Sequence, residues 1–160
     1  MKELQKLFEH TLMDVYYAEN QIVKALPKLA KAAKSPELKK GFEAHLTQTH
    51  GHVRRLEQIF KILGKPPKGV ACEAIKGILK EGDEVCEDFA GSAALDAGMI
   101  AAAQAVEHYE MARYGALRTW AEELGMDEAA SLLEETLLEE RATDQQLTKL
   151  AESKINLKAA

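Results

Sequence analysis

The chain has 160 residues, 46% hydrophobic and 29% charged, with 26 acidic against 21 basic side chains and a formal net charge of -5. That length suits one domain, 1–160, with a real core, and plentiful Ala, Leu, Glu and Lys beside only four prolines point to an all-α protein. Interleaved charge offers no basic face to nucleic acid or anionic lipid, no apolar run approaches the roughly 20 residues of a membrane span, and an amphipathic start in place of a signal peptide's apolar block predicts a cytoplasmic protein.

Apolar residues recur at helical spacing from Leu4 through Phe8, Leu12, Val15, Ile22, Leu26 and Leu29, predicting a first helix over about 4–34. Pro27 lies inside that pattern and should kink its last two turns, because proline donates no backbone hydrogen bond. Ser35 as cap, Pro36 at the first helical position and Glu37 in the first turn then start a second helix over about 36–63. Its inner stripe reads Leu38, Phe42, His45, Leu46, Thr49, His52, Val53, Leu56, Ile59 and Phe60. The stretch "GKPPKG" ends it and opens a crossover, about 64–93, that carries a weaker helix interrupted by Gly77 and Gly82. A third long helix follows over about 94–124, stopped by Gly125, and a fourth over about 127–151 with Asp127 as cap. The tail "ESKINLKAA" is expected to fray. Cys72 and Cys86 have no metal-ligand spacing and read as reduced thiols.

Each long helix breaks its apolar stripe with polar residues near its midpoint. On the third helix the inner face carries Glu107 and Glu110, three apart, between Ala103 and Tyr114; on the fourth it carries Glu140 and Asp144 between Leu137 and Leu147. Glu19 stands between Val15 and Ile22, and the second helix contributes His52, with Thr49 one turn earlier. In antiparallel hairpins centred near residues 35 and 125, Glu19 falls opposite roughly residue 50 and Glu110 opposite roughly residue 140, so His52 and Glu140 are at hand; His45 falls about 8 to 10 Å away along the axis and is set aside. A faint internal repeat matches Glu19 with Glu110, Thr49 with Glu140 and His52 with Thr143.

Several unpaired carboxylates buried together would cost several kcal/mol apiece or take up protons. A cation resolves the conflict, and carboxylates with imidazole on facing helices suit two iron ions, or manganese. Glu19, His52, Glu107, Glu110, Glu140 and Asp144 are the candidate ligands. The competing reading is that single glutamates swing to solvent or pair with Lys24, Arg54 or Arg113. His10, His50 and His108 read as surface residues, and the tyrosines as packing.

The segments "YYAENQ", "AHLTQTHGHVRRLEQIF", "GVACEAIKGIL", "IAAAQAVEHYEMARYG" and "LLEETLLEERATDQQLTKLA" resemble the bacterial YciE/YciF family of ferritin-like, stress-associated proteins. The resemblance covers nearly the whole chain. It implies a ferritin-like four-helix bundle with a long crossover, homodimers, and a carboxylate-bridged two-metal centre with Glu19 on the first helix, Glu107 and Glu110 on the third and Glu140 on the fourth. The departure is in the Glu-x-x-His motifs that ferritin-like sites place on helices 2 and 4: here these read Thr49-x-x-His52 and Glu140-x-x-Thr143, which predicts a weakly held second metal.

Three functions follow as expectations. The first is a di-iron oxidoreductase of ferroxidase or peroxidase type meeting a small oxidant, oxygen or peroxide. The second is a non-enzymatic stress or structural protein that acts through self-association. The third, iron storage in a shell, lacks an acidic nucleation patch distinct from the bundle centre.

Overall fold

A computed structural model of the chain describes residues 3–160, so Met1 and Lys2 of the expected domain lie outside the described residues. Four long helices, α1 (Glu3–Ala32), α2 (Pro36–Ile62), α4 (Leu95–Glu123) and α5 (Asp127–Leu150), are joined by a crossover that contains α3 (Glu73–Asp88). α1 continues without interruption through Pro27. Among the described residues no helix is long and apolar enough to cross a membrane.

Local chemistry places the two hairpin turns. Ser35 Oγ accepts from Leu38 N and Pro36 fills the first turn, as the sequence predicts. The sequence does not reveal that buried Asp96, at the start of α4, accepts from Lys34 N at 2.9 Å and Ser35 N at 2.7 Å, tying the α1–α2 turn to the neighbouring helix. At the α4–α5 turn Gly125 takes φ +70°, a left-handed conformation cheap only for glycine, and returns Met126 N to Ala121 O. The chain therefore re-enters helix at once: Met126 is the cap residue and Asp127 lies in the first turn, favourable to the helix dipole, rather than capping it.

Side-chain pairs give the directions. Arg55 meets Glu135 while Gln48 meets Thr143, so α2 and α5 run antiparallel; α1 and α4 also do, with Lys34 beside Asp96 at one end and Glu19 beside Tyr114 further along. The crossover passes over α1, where Val70 N bonds Met13 O and a Cβ on Gly69 would come 3.2 Å from the Tyr17 Cα. α3 then packs on α4 and α1 through fully buried Ile75. The tail differs from expectation. It continues α5 through one wide turn, Ala151–Ile155, and a short helix α6, Asn156–Ala159. It is held because Ile155 is buried in the core and Lys154 pairs with Glu37.

The apolar core is two bodies. One gathers Ile22 and Leu26 of α1, Leu38 and Phe42 of α2, Met99 and Ile100 of α4, and Leu147 and Ile155. The other gathers Phe8 and Leu12, Leu56 and Ile59, Leu117, and Leu133 and Leu137. Along α2, α4 and α5 the residues between the two are polar and buried: His45, Thr49 and His52; Glu107 and Glu110; Glu140 and Thr143. Glu19 joins them from α1.

Candidate metal centre

Glu19, His52, Glu107, Glu110 and Glu140 are each 0 or 1% exposed, and their side chains converge from all four long helices. Two overlapping groups of ligand atoms lie within 4.8 Å of one another: Glu19, His52 and Glu140; and His45, Glu107, Glu110 and Glu140. Glu140 belongs to both. The two groups are displaced along the bundle, with Glu19 and His52 toward one apolar body and His45 and Glu107 toward the other.

His45 corrects the sequence reading. Its Nε2 is 3.1 Å from Glu107 Oε1 and 3.8 Å from Glu140 Oε2. The axial offset from His52 is real, about 10 Å over two turns, but a centre that is itself two positions deep uses both levels. The available signal was seven-residue spacing: His45 and His52 lie on one helical face, as Glu107 and Glu110 do one turn apart on α4. Asp144 is brought elsewhere; its Oδ1 takes Gln104 Nε2 at 3.2 Å and His108 Nε2 at 3.2 Å, near the surface. His10, His50 and His108 are exposed. Neither Lys24, Arg54 nor Arg113 appears among the cluster's ion-pair partners; Arg113 lies over the Tyr109 ring instead.

Thr49 occupies the place where a ferritin-like second helix would carry glutamate, and its hydroxyl turns back to His45 O at 2.7 Å. The cluster nevertheless gathers four carboxylates and two imidazoles, the same count that ferritin-like carboxylate sites use, with both imidazoles on α2. His45 adds an imidazole to the cluster that the sequence reading had set aside.

A chain outside the centre orients His52. Its Nε2 lies 2.8 Å from Glu139 Oε2, and Arg55 grips the same carboxylate at 3.0 Å and 2.8 Å. Glu139 thus accepts the Nε2 proton and leaves Nδ1 facing inward, 2.8 Å from Glu140 Oε1 and 3.3 Å from Glu19 Oε1. Sequence reasoning missed this pair. His52 and Arg55 are three apart on α2, and Glu135 and Glu139 four apart on the antiparallel face of α5. On the far side Tyr114 donates to Glu19 Oε1 at 2.5 Å.

The electrostatics follow from burial. Loss of hydration, then the neighbouring Glu140, pushes Glu107 up to about 12, and Glu110 is driven well above the carboxylate range by burial and by Glu140 and Glu19. Burial works against a charged His52, but the carboxylates of Glu140 and Glu19 outweigh it and lift the imidazole to about 10. Burial alone would also raise Glu140; Glu107, His45 and His52 together hold it well below its ordinary value. Arg55 holds Glu139 below the usual range. Burial and Glu19 raise the Tyr114 phenol well above its ordinary value.

Both carboxylate oxygens of Glu110, with Glu107 Oε2 and Glu19 Oε2, are buried without a hydrogen-bond partner, while Glu107 Oε1, the two Glu140 oxygens, His45 Nε2 and His52 Nδ1 meet only one another and Glu19 Oε1 at ion-pair distances. Buried polar atoms are rarely left so, and here they belong to one cluster. Oxygen and imidazole nitrogen donors in that cluster suit a first-row divalent ion, and two such ions would balance four carboxylates. The residues could hold a metal ion.

The pattern of the family described as a domain of unknown function, DUF892, matches residues 3–160. Protein YciF of Escherichia coli (strain K12) is 46% identical over 160 residues, covering 99% of this chain and 96% of that one. The crystal structure of that protein, described as an E. coli stress protein, superposes with a TM-score of 0.92 at 46% identity over 98% of this chain and 99% of the other. YcfI from Rhodopseudomonas palustris gives 0.89 at 48% identity over 92% and 94%. With its whole described length inside the family's pattern and YciF as a relative along nearly all of it, the chain belongs to the YciF-like DUF892 family.

Proposed function

We propose that the protein is a ferritin-like, stress-associated metal protein that holds two iron ions, with manganese as the competing metal, and reacts with dioxygen or peroxide. One observation carries this reading: four carboxylates and two imidazoles buried together between two apolar bodies, with both Glu110 oxygens, Glu107 Oε2 and Glu19 Oε2 left without a partner. His45, Glu107 and Glu110 would hold one ion and Glu19 and His52 the other, with Glu140 between them. Two ferrous ions held there would each give one electron, two in all, to an O–O bond. The chain's own residues bind and orient: Glu139 and Arg55 fix the His52 ring, Tyr114 fixes Glu19, and the apolar bodies keep bulk water from the carboxylates. The stress association rests on the likeness to YciF, a stress protein of E. coli.

Elemental analysis after loading with ferrous iron should give two ions per chain, and iron oxidation by oxygen or peroxide should be lost in Glu110→Ala. If the loaded protein holds iron but shows no turnover with either oxidant, the oxidant half of the reading fails. If neither iron nor manganese binds, the metal half fails as well, and a structural role through self-association takes its place.

A further inference from the structure

The cluster is sealed by the two apolar bodies above and below, but not equally on its sides. Between α2 and α5 a cavity of about 130 Å³ runs beside His45. Exposed Gly41 and Gln146 form its outer edge, Phe42, Thr143 and Leu147 its buried walls, and the His45 ring its inner end. The same ring directs Nε2 at Glu107, 3.1 Å away, so one imidazole separates the cavity from the carboxylates. Gly41 leaves room at the mouth: a Cβ built there meets nothing within 4 Å, and its backbone is ordinary helix, so the missing side chain is not required by conformation.

We propose that this cavity is the port through which a small uncharged O–O species, dioxygen or hydrogen peroxide, reaches the centre. The walls distinguish it from a path for a hydrated cation. They are apolar apart from a hydroxyl and an amide, and their one carboxylate, Glu37 at the rim, is already paired with Lys154 of the tail. A hydrated divalent ion would find no ladder of oxygen ligands there, whereas a neutral diatomic needs only space. Thr143, whose hydroxyl donates to Gln48 Oε1, links the two helices that form the opening. This inference rests on the metal reading above.

The test compares wild type, Gly41→Phe and, as a control remote from the port, Gly77→Phe on the exposed face of α3, each loaded anaerobically with ferrous iron. Iron content is measured by elemental analysis and access by the association rate of nitric oxide, a neutral diatomic close to dioxygen in size, followed by absorbance. Filling the cavity should slow association about tenfold or more at unchanged iron content, while Gly77→Phe leaves the rate alone. Equal rates in Gly41→Phe and wild type at equal iron content would overturn the port and leave the centre standing. If wild type itself takes up no iron, the centre fails and the port with it. Should Gly41→Phe lose iron or structure, Gln146→Trp narrows the same opening from α5 and is read by the same two outcomes.

Discussion

Glu139 shows how a half-exposed residue can govern a buried one. Its carboxylate takes the Nε2 proton of His52 and is itself held by the Arg55 fork. Glu139→Gln keeps the shape but weakens the acceptor, so metal affinity should fall about 10- to 100-fold, measured by chelator competition, with little change in the stability of the metal-free fold. Glu110 predicts the opposite division. Burial and its acidic neighbours oppose its charge, so Glu110→Gln should stabilise the chelated protein by about 2 kcal/mol in denaturant unfolding while removing the added stability that metal confers. Glu19, Glu107, Glu110 and Glu140 were legible because each interrupts an apolar stripe, a signal that needs no tertiary information. Glu139 was not legible, since it stands beside the stripe and its meaning comes only from the facing helix. His45 lay in plain view on its stripe and was lost to the assumption of a centre one level deep.

At the scale of elements, the crossover helix is placed by a missing methyl group. A Cβ on Gly98 of α4 would stand 2.6 Å from Val85 Cγ1 of α3. In a free helix Gly→Ala would gain about 1 kcal/mol, but the β-branched valine cannot swing aside and overpacking of this kind costs about 1–3 kcal/mol. Gly98→Ala should therefore lower the unfolding midpoint, and Gly98→Ala with Val85→Ala should recover more than half of that loss, measured as a double-mutant cycle. Helix boundaries were readable to within a few residues where a cap or a left-handed glycine punctuates the chain, as at Ser35 and Gly125. The tail was misread because its fate depends on Ile155 finding the core and Lys154 finding Glu37, neither of which local composition encodes.

For the molecule as a whole, the centre ties folding to pH and to metal. Glu107 carries its folded value up to about 12 and His52 up to about 10, both above their unfolded values. Between pH 5 and 9 the folded chain without metal thus binds more protons than the unfolded one, and its stability drains away as pH rises. Glu140, shifted downward, acts only below the unfolded carboxylate range and does not reverse this. Chelated protein should melt about 5 °C or more lower at pH 8.5 than at pH 5.5, whereas metal-loaded protein, in which cations replace those protons, should show the reverse or no trend; differential scanning calorimetry on both forms checks this. The four-rod plan was legible from periodicity and caps, while its division into two apolar bodies appears only when the four stripes are laid side by side. That division has a mechanical consequence. Hydrocarbon on hydrocarbon tolerates a slide of one helical step, about 5.4 Å, but any rod that slid here would drive an acid into grease with nothing to answer it. The polar layer therefore works as a keyway that sets the rods lengthwise before any ion arrives, and the protein accepts a weaker core in return for a single alignment.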